Sequence, residues 1–419
     1  MRKITLILLA LILTISVYAG GKQESGEAGA KSAEPVTMEF AAWWFTEAGR
    51  VDWLNQKCDE FEQMNPGIKV DRVAIASTDV HDKFMTQAAA GTGPDVIWMR
   101  ETSLHPFMKL GFLEPTGNWI DDSKYDLEPI NELAVLNGER LAYNLFAYAY
   151  SLVIYNKTMF QQKGVAVPTT PQETLDAAVK LTDAPNVFGW GMPVDPSNVE
   201  YFAQAMQKFT SFFGAAIADD GEITVNSPDF VEGITWYKKF FDADVTPKSI
   251  GWRVQRKMQA EDKVAMVTDG AYHFGVMEGV KEGSSKDKDA IKPPFPSDYV
   301  LYGSNYIAMN KASDEKEAAA TFLKWWLSDE FQTEFCKYGN HVGAVKVEFS
   351  DEYMKDHWYL DAYNDPSLKP MLALVEGHEE KSMEIRTTLV DYGAEILYKD
   401  APVKGTLDRA QKAIENLIK

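Results

Sequence analysis

From Val36 to Met99 the chain alternates strand-like and helix-like patterns, and that alternation restricts the folds open to it. Val36–Trp44 alternates as a strand and ends in the pair Trp43-Trp44. Glu47–Met64 carries Val51, Leu54, Cys58, Phe61 and Met64 at helical spacing and closes at Asn65-Pro66-Gly67. Ile68–Ala74 reads as a second strand and Asp79–Ala90 as a helix stopped by Gly91-Thr92-Gly93-Pro94. Asp95–Met99 is a short apolar strand, followed by a helix around Leu104–Lys109. Such an order implies an α/β fold with a mostly parallel sheet covered on both faces.

The stretch Gly138–Lys157, GERLAYNLFAYAYSLVIYNK, is aromatic and long for one buried strand. Alternation puts Ala142, Asn144, Phe146, Tyr148, Tyr150 and Leu152 on one face. It reads as two consecutive extended segments that carry the chain from one lobe into a second; a central strand pair of one large domain is the alternative. The 419-residue length favours two or more domains. Beyond it helical patterns dominate, among them Thr170–Leu181, Val199–Phe213, Phe230–Phe241 and Val254–Glu261. Asp219-Asp220-Gly221 is a tight turn, and the charged run Lys281–Lys292 reads as a solvated loop. Tyr299–Met309 reads as a strand interrupted by Gly303-Ser304-Asn305, and the tail from Tyr353 to Leu417 as several helices.

Met1–Lys3 is basic, Ile4–Val17 is an almost unbroken apolar run, and Val17-Tyr18-Ala19 offers a small-residue cleavage position. This is the layout of a secretory signal peptide over residues 1–19, with a flexible Gly/Ala/Ser/Glu-rich linker over 20–35. No Cys lies near the cleavage position, which disfavours a lipoprotein, and the expected location is periplasmic or extracellular. A formal net charge of −20 argues against a nucleic-acid surface. The two cysteines, Cys58 and Cys336, sit in helical patterns and read as buried free thiols, with a single bridge between them as the alternative.

Signatures of catalysis are missing. The chain has no G-x-S-x-G, H-E-x-x-H, Walker A, G-x-G-x-x-G or C-x-x-C pattern, and its six histidines show no metal-ligand spacing. Nothing calls for a cofactor or a metal, and an enzyme is not expected. What stands out is aromatic residues at strand ends: Trp43-Trp44, Tyr148 and Tyr150, and Tyr272 and Phe274 after Asp269-Gly270. Aromatic faces suit the C–H surfaces of a sugar ring, and neighbouring polar side chains suit its hydroxyls.

The segments FEQMNPGIKV (Phe61–Val70), AAAGTGPDVIWM (Ala88–Met99), LGFLEP (Leu110–Pro115), SLVIYNKTMFQQKGVAVPTTPQE (Ser151–Glu173), EDKVAMVTDGAY (Glu261–Tyr272) and GSNYIAMNKASDEKEAAATFLKWWLSDEFQ (Gly303–Gln332) are decisive in their order and spacing. Through them the chain resembles the extracellular solute-binding proteins of ABC importers, in the maltose-binding-protein-like, family 1 sugar-binding group. The resemblance implies a two-lobe periplasmic-binding-protein fold of type II, with the ligand cleft between discontinuous lobes. Residues 36–147 and 304–343 would form the N-terminal lobe, and 148–303 and 344–419 the C-terminal lobe. Crossings are expected near Phe146–Ser151, Tyr299–Asn305 and Asn340–Ala344.

The resemblance also implies ligand contacts. Trp43 and Trp44 match the loop after the first strand, Arg100 and Glu101 the polar positions after Pro-Asp-Val, and Tyr148 and Tyr150 the first hinge. Asp269 and Tyr272 match the turn that often carries an aromatic platform, Ser304 and Asn305 the second hinge, and Arg386 a late C-terminal helix. Where many members carry an acidic residue after that loop this chain has Thr102, and its second hinge reads Tyr-Gly-Ser in place of Gly-Gly. The implied function is capture of a sugar or oligosaccharide, as a monomer, for delivery by hinge closure to a permease driven by an ATPase. A sugar phosphate or another small polar solute is the alternative ligand, and a carbohydrate-active hydrolase the alternative activity.

Overall fold

A computed structural model describes residues 35–419 apart from 48, 77–78, 249 and 364. The signal peptide and all of the linker except Pro35 lie outside the described residues.

The first strands are β1 (Val36–Ala42), β2 (Ile68–Ala74) and β3 (Val96–Arg100), with a two-residue hairpin of β4 (Val135–Leu136) and β5 (Glu139–Arg140). Then come β6 (Tyr143–Ala149), β7 (Leu152–Asn156) and β8 (Phe188–Gly191), and a second small hairpin of β9 (Ala218–Asp219) and β10 (Glu222–Ile223). The last are β11 (Val264–Asp269), β12 (Lys288–Ile291), β13 (Tyr299–Met309) and β14 (Lys369–Leu372). One sheet runs β14-β13-β3-β1-β2, with β6 also paired to β13; the other runs β12-β7-β11-β8. Strands β1, β2 and β3 are parallel, as the alternation requires. Strand β13 runs against β3 and β6 and with β14, so the sheet is mixed rather than mostly parallel.

Helices cover the sheets through stripes written in the sequence. In Val51–Met64 the buried apolar residues Leu54, Cys58 and Phe61 recur at steps of four and three, facing the β1–β3 sheet core. Helix starts are capped where the sequence offers a cap: Met159 N–H donates to Asn156 Oδ1 at 3.0 Å, and Phe230 N–H to Ser227 Oγ at 3.3 Å. Asp220 and Gly221, with φ of 48° and 78°, make the tight turn between β9 and β10.

The stretch 138–157 is divided between the sheets: β6 belongs to one and β7 to the other, with Tyr150-Ser151 between them. The apolar cores divide at the same place. One ends at Phe146 and resumes at Tyr306, and another begins at Val153. Between them only two small groups form, around Ala149, Leu152 and Val300, and around Tyr150, Leu301 and Ala373. Three segments lie side by side here. Tyr150 N–H donates to Leu301 O at 2.9 Å, Leu301 N–H to Ser151 Oγ at 2.8 Å, and Ala147 exchanges backbone bonds of 2.7 and 2.9 Å with Val342.

Three readings need correction, and one strand was not read at all. Strand β13 is continuous through Gly303-Ser304-Asn305, which pair with β6; the irregularity is a register shift between Asn305 and Tyr306. At Gly303 the strand runs close under two rings, where a Cβ would meet Tyr150 at 3.2 Å and Tyr148 at 3.4 Å. The charged run 281–292 is not all solvated loop: it holds β12, with Lys288 buried and paired to Asp262 and Asp287. The C-terminal tail contributes β14 as well as helices, because Lys369–Leu372 extends the β13 edge. Finally, Phe188–Gly191 forms β8, a strand too short and Gly-rich to stand out by pattern. Cys58 and Cys336 are buried free thiols, each pushed up to about 12 by burial.

Candidate functional site

A cavity of about 660 Å³ opens between elements of the two sheets, within the roughly 300–1,000 Å³ typical of small-molecule sites. The β1–β3 side supplies Trp43, Trp44 and Arg50 from the turn after β1, and Arg100, Glu101 and Thr102 from the end of β3. The crossing segments supply Phe146, Tyr148 and Tyr150 from β6 and its end, Gly303 and Asn305 from β13, and His341. The opposite wall comes from helices: Glu200, Tyr201, Gln204 and Lys208 on Val199–Ser211, Trp252, Arg253 and Arg256 on Trp252–Ala260, and Arg386 on Ser382–Tyr398. Asp269 and Tyr272 close it at the end of β11.

Ten of the eleven residues expected at the site therefore border one cavity. The exception is Ser304, which is fully buried and absent from the wall. Alternation along β13 turns its side chain away from Gly303 and Asn305, which do reach the cavity. Ser304 acts instead through its backbone, whose N–H donates to Glu101 Oε2 at 3.0 Å.

Two other expectations change in character. Trp43 and Trp44 are 5% and 1% exposed, packed against Trp98 at 4.9 and 5.0 Å between ring centroids. The Arg50 guanidinium lies 4.3 Å from the Trp44 ring centroid, so these indoles border the cavity while most of their surface serves the core. Asp269 is saturated by the protein. Arg256 Nε donates to it at 2.7 Å and Gly270 N–H at 2.9 Å, with further bonds from Arg256 Nη2, Tyr272 Oη and His273 Nδ1. Burial alone would raise this carboxyl, but Arg256 and His273 outweigh it and hold it well below the usual carboxylate range. Asp269 thus orients Arg256 and Tyr272 rather than offering a free acceptor.

Tyr148 and Tyr272 meet edge to face at 4.9 Å, bringing the crossing segment and the β11 turn together. Burial, with Glu101 nearby, pushes the Tyr148 hydroxyl up to about 12, so it stays protonated as a donor. Burial raises Glu101 too, opposed by Arg386 and the Ser304 N–H. Arg100 forms an ion pair with Glu200, and so joins the end of β3 to the opposite helix.

Lys208 is 2% exposed; its Nζ donates to Thr268 O at 2.7 Å and lies 3.5 Å from the Trp252 ring centroid. Burial, opposed by Asp269, brings it down to about 7. Of the helical wall the sequence reading had only Arg386. The signal for the rest was Glu200, Gln204 and Lys208 at four-residue steps on an aromatic-rich helix, with Trp252 and Arg256 repeating the step.

A family model for bacterial extracellular solute-binding proteins matches residues 56–359. The chain belongs to that family. Among curated relatives it is 22% identical over 344 residues to the diacetylchitobiose binding protein DasA of Streptomyces coelicolor, covering 77% of this chain and 76% of the relative. Among solved structures, an ABC transporter solute binding protein of Thermotoga lettingae bound with alpha-D-tagatose superposes with a TM-score of 0.77 at 18% identity, covering 92% of this chain and 100% of that one. Maltose-bound MalE3 of T. maritima gives 0.77 at 19% identity, with the same two coverages. These likenesses establish the two-lobe, maltose-binding-protein-like fold. The family is one of binding proteins. Among the described residues no helix is long and apolar enough to cross a membrane, and no His, Cys, Asp and Glu group could hold a metal.

Proposed function

We propose that this family member captures a sugar or short oligosaccharide in the inter-sheet cavity and hands it to an ABC permease driven by an ATPase. The observation that carries the reading is a cavity walled from both sides by tyrosines, Trp252 and hydrogen-bonding side chains. Stacking adds about 0.5–1.5 kcal/mol per aromatic, whereas micromolar binding needs about −8 kcal/mol. Tyr148, Tyr272 and Trp252 must therefore act with polar partners, for which Arg100, Glu101, Asn305 and Gln204 are in place. The ligands named for DasA and for the Thermotoga proteins are sugars, which supports the class.

In this reading the lobes are 36–147 with 304–343 and 148–303 with 344–419, and they close about the Tyr150-Ser151 crossing. The thin apolar packing there, between two large cores, supports a hinge. The protein acts as a non-enzymatic monomer exported by cleavage after Ala19. Titration calorimetry against a panel of mono- and oligosaccharides, with tryptophan fluorescence alongside, is expected to reveal at least one micromolar ligand. A flat response across the panel would defeat the sugar reading.

A further inference from the structure

Resting on the sugar reading, a closer account of the wall narrows the ligand class. The chain carries 62 acidic and 42 basic residues, yet the cavity wall reverses that balance. It holds six cationic side chains, Arg50, Arg100, Lys208, Arg253, Arg256 and Arg386, against the four carboxylates Glu47, Glu101, Glu200 and Asp269. Three of those carboxylates are already committed within the wall: Glu47 to Arg50 at 3.6 Å, Glu200 to Arg100, and Asp269 to Arg256.

What remains is a surplus of positive charge. Among the described residues Arg253, Lys208 and Arg386 have no ion pair. Arg386 is 2% exposed; its Nη2 donates to Ala373 O, while its buried Nε has no acceptor. Lys208 uses one of its three donors on Thr268 O. Lys208 lies 5.2 Å from the Tyr150 ring centroid, and Arg386 donates to Ala373 O, whose residue packs in one group with Tyr150, so both cations flank the same end of the cavity, with Glu101 beside them. Glu101 stands near Arg386 and Asp269 near Lys208, but Asp269 is already paired to Arg256, so six cations against four carboxylates leave the wall a net surplus of two positive charges, which an incoming anion would offset.

We propose that the solute is an anionic saccharide whose acid group meets Arg386 and Lys208 at the Tyr150 end of the cavity. A uronate and a sugar phosphate share this chemistry.

The test is titration calorimetry of the full protein with matched sets: glucose, glucuronate and glucose 6-phosphate, then galactose and galacturonate, then galactobiose and digalacturonate. In at least one set the acid member should bind about tenfold tighter or more than its neutral partner, and the set shows whether carboxylate or phosphate is preferred. Raising salt from about 50 to about 500 mM should weaken the acid member and leave the neutral one nearly unchanged. Arg386→Gln should abolish the acid advantage. Because that side chain is buried, the exposed Arg253→Gln serves as a second variant, expected to reduce the advantage in a folded protein. Neutral sugars binding as tightly as their acids would overturn the anionic class and leave the sugar reading intact. No binding in any set would overturn both.

Discussion

Lys208 shows how much of this site depends on single buried groups. Its ammonium faces Asp269, Arg256, Trp252 and Tyr150, and burial brings it from 10.5 down to about 7. The unfolded chain therefore holds more protons than the folded one between those values, and stability rises with pH across that window. On lowering the pH the native state loses this contribution, and the loss is complete below about 7. Lys208→Met has no such titration. Its melting temperature should gain on that of the wild type as the pH falls from about 9 to about 6, a relative change on the order of 2–3 kcal/mol. Parallel melting curves at both pH values would show that Lys208 is not held in its depressed state. Little of this was legible beforehand, since burial of a lysine within an aromatic-rich helix depends on which face meets the cavity. Trp43, Trp44, Tyr148, Tyr150 and Tyr272 were legible as aromatics at strand ends, whereas the other six candidates came only through the family resemblance. Ser304 failed through a one-residue alternation, and Asp269 changed role because its partners Arg256 and His273 lie on helices whose approach no spacing in the chain specifies.

At the scale of elements, the turn from β11 into the helix Tyr272–Val280 is held against the crossing segment with almost no spare room. A Cβ at Gly270 would lie 2.5 Å from Tyr272 Cε1 and 2.9 Å from the Ala149 carbonyl oxygen. The ring could yield only by giving up its bond to Asp269, and the Ala149 backbone is fixed by its pairing with Tyr302. Gly270→Ala should therefore cost about 1–3 kcal/mol in urea unfolding, the usual range for overpacking. It should also weaken ligand binding, because Tyr272 and Arg256 share the disturbed carboxylate. Unchanged stability would mean that the turn has slack. The same region marks the reach of pattern reading. The aromatic stretch 138–157 gave away two extended segments because its length exceeds that of an ordinary strand. Strands β8, β12 and β14 carried no such mark: one is glycine-rich, and another buries a lysine that only its pairing to Asp262 and Asp287 makes tolerable.

Across the whole molecule, the pair Arg100–Glu200 ties the end of β3 to the opposite wall over the cavity, as Lys109–Glu380 joins the same lobes elsewhere. Its side chains keep 33% and 28% of their surface in solvent, which limits its strength to roughly 0.2–1 kcal/mol, the range of exposed ion pairs. That is too little to hold the lobes shut, but sufficient to bias an equilibrium between open and closed forms. A contribution near the upper end of that range corresponds to about a fivefold change in the closed-to-open ratio. With a spin label on each lobe and no ligand present, Glu200→Gln should lower the closed population by about 2–5-fold. High salt should do the same to the wild type and have little further effect on the variant. Apparent affinity should fall by a similar factor, because a ligand that needs the closed form is penalised by the fraction of closed protein. Identical distance distributions for variant and wild type, insensitive to salt, would show that the pair follows closure without favouring it.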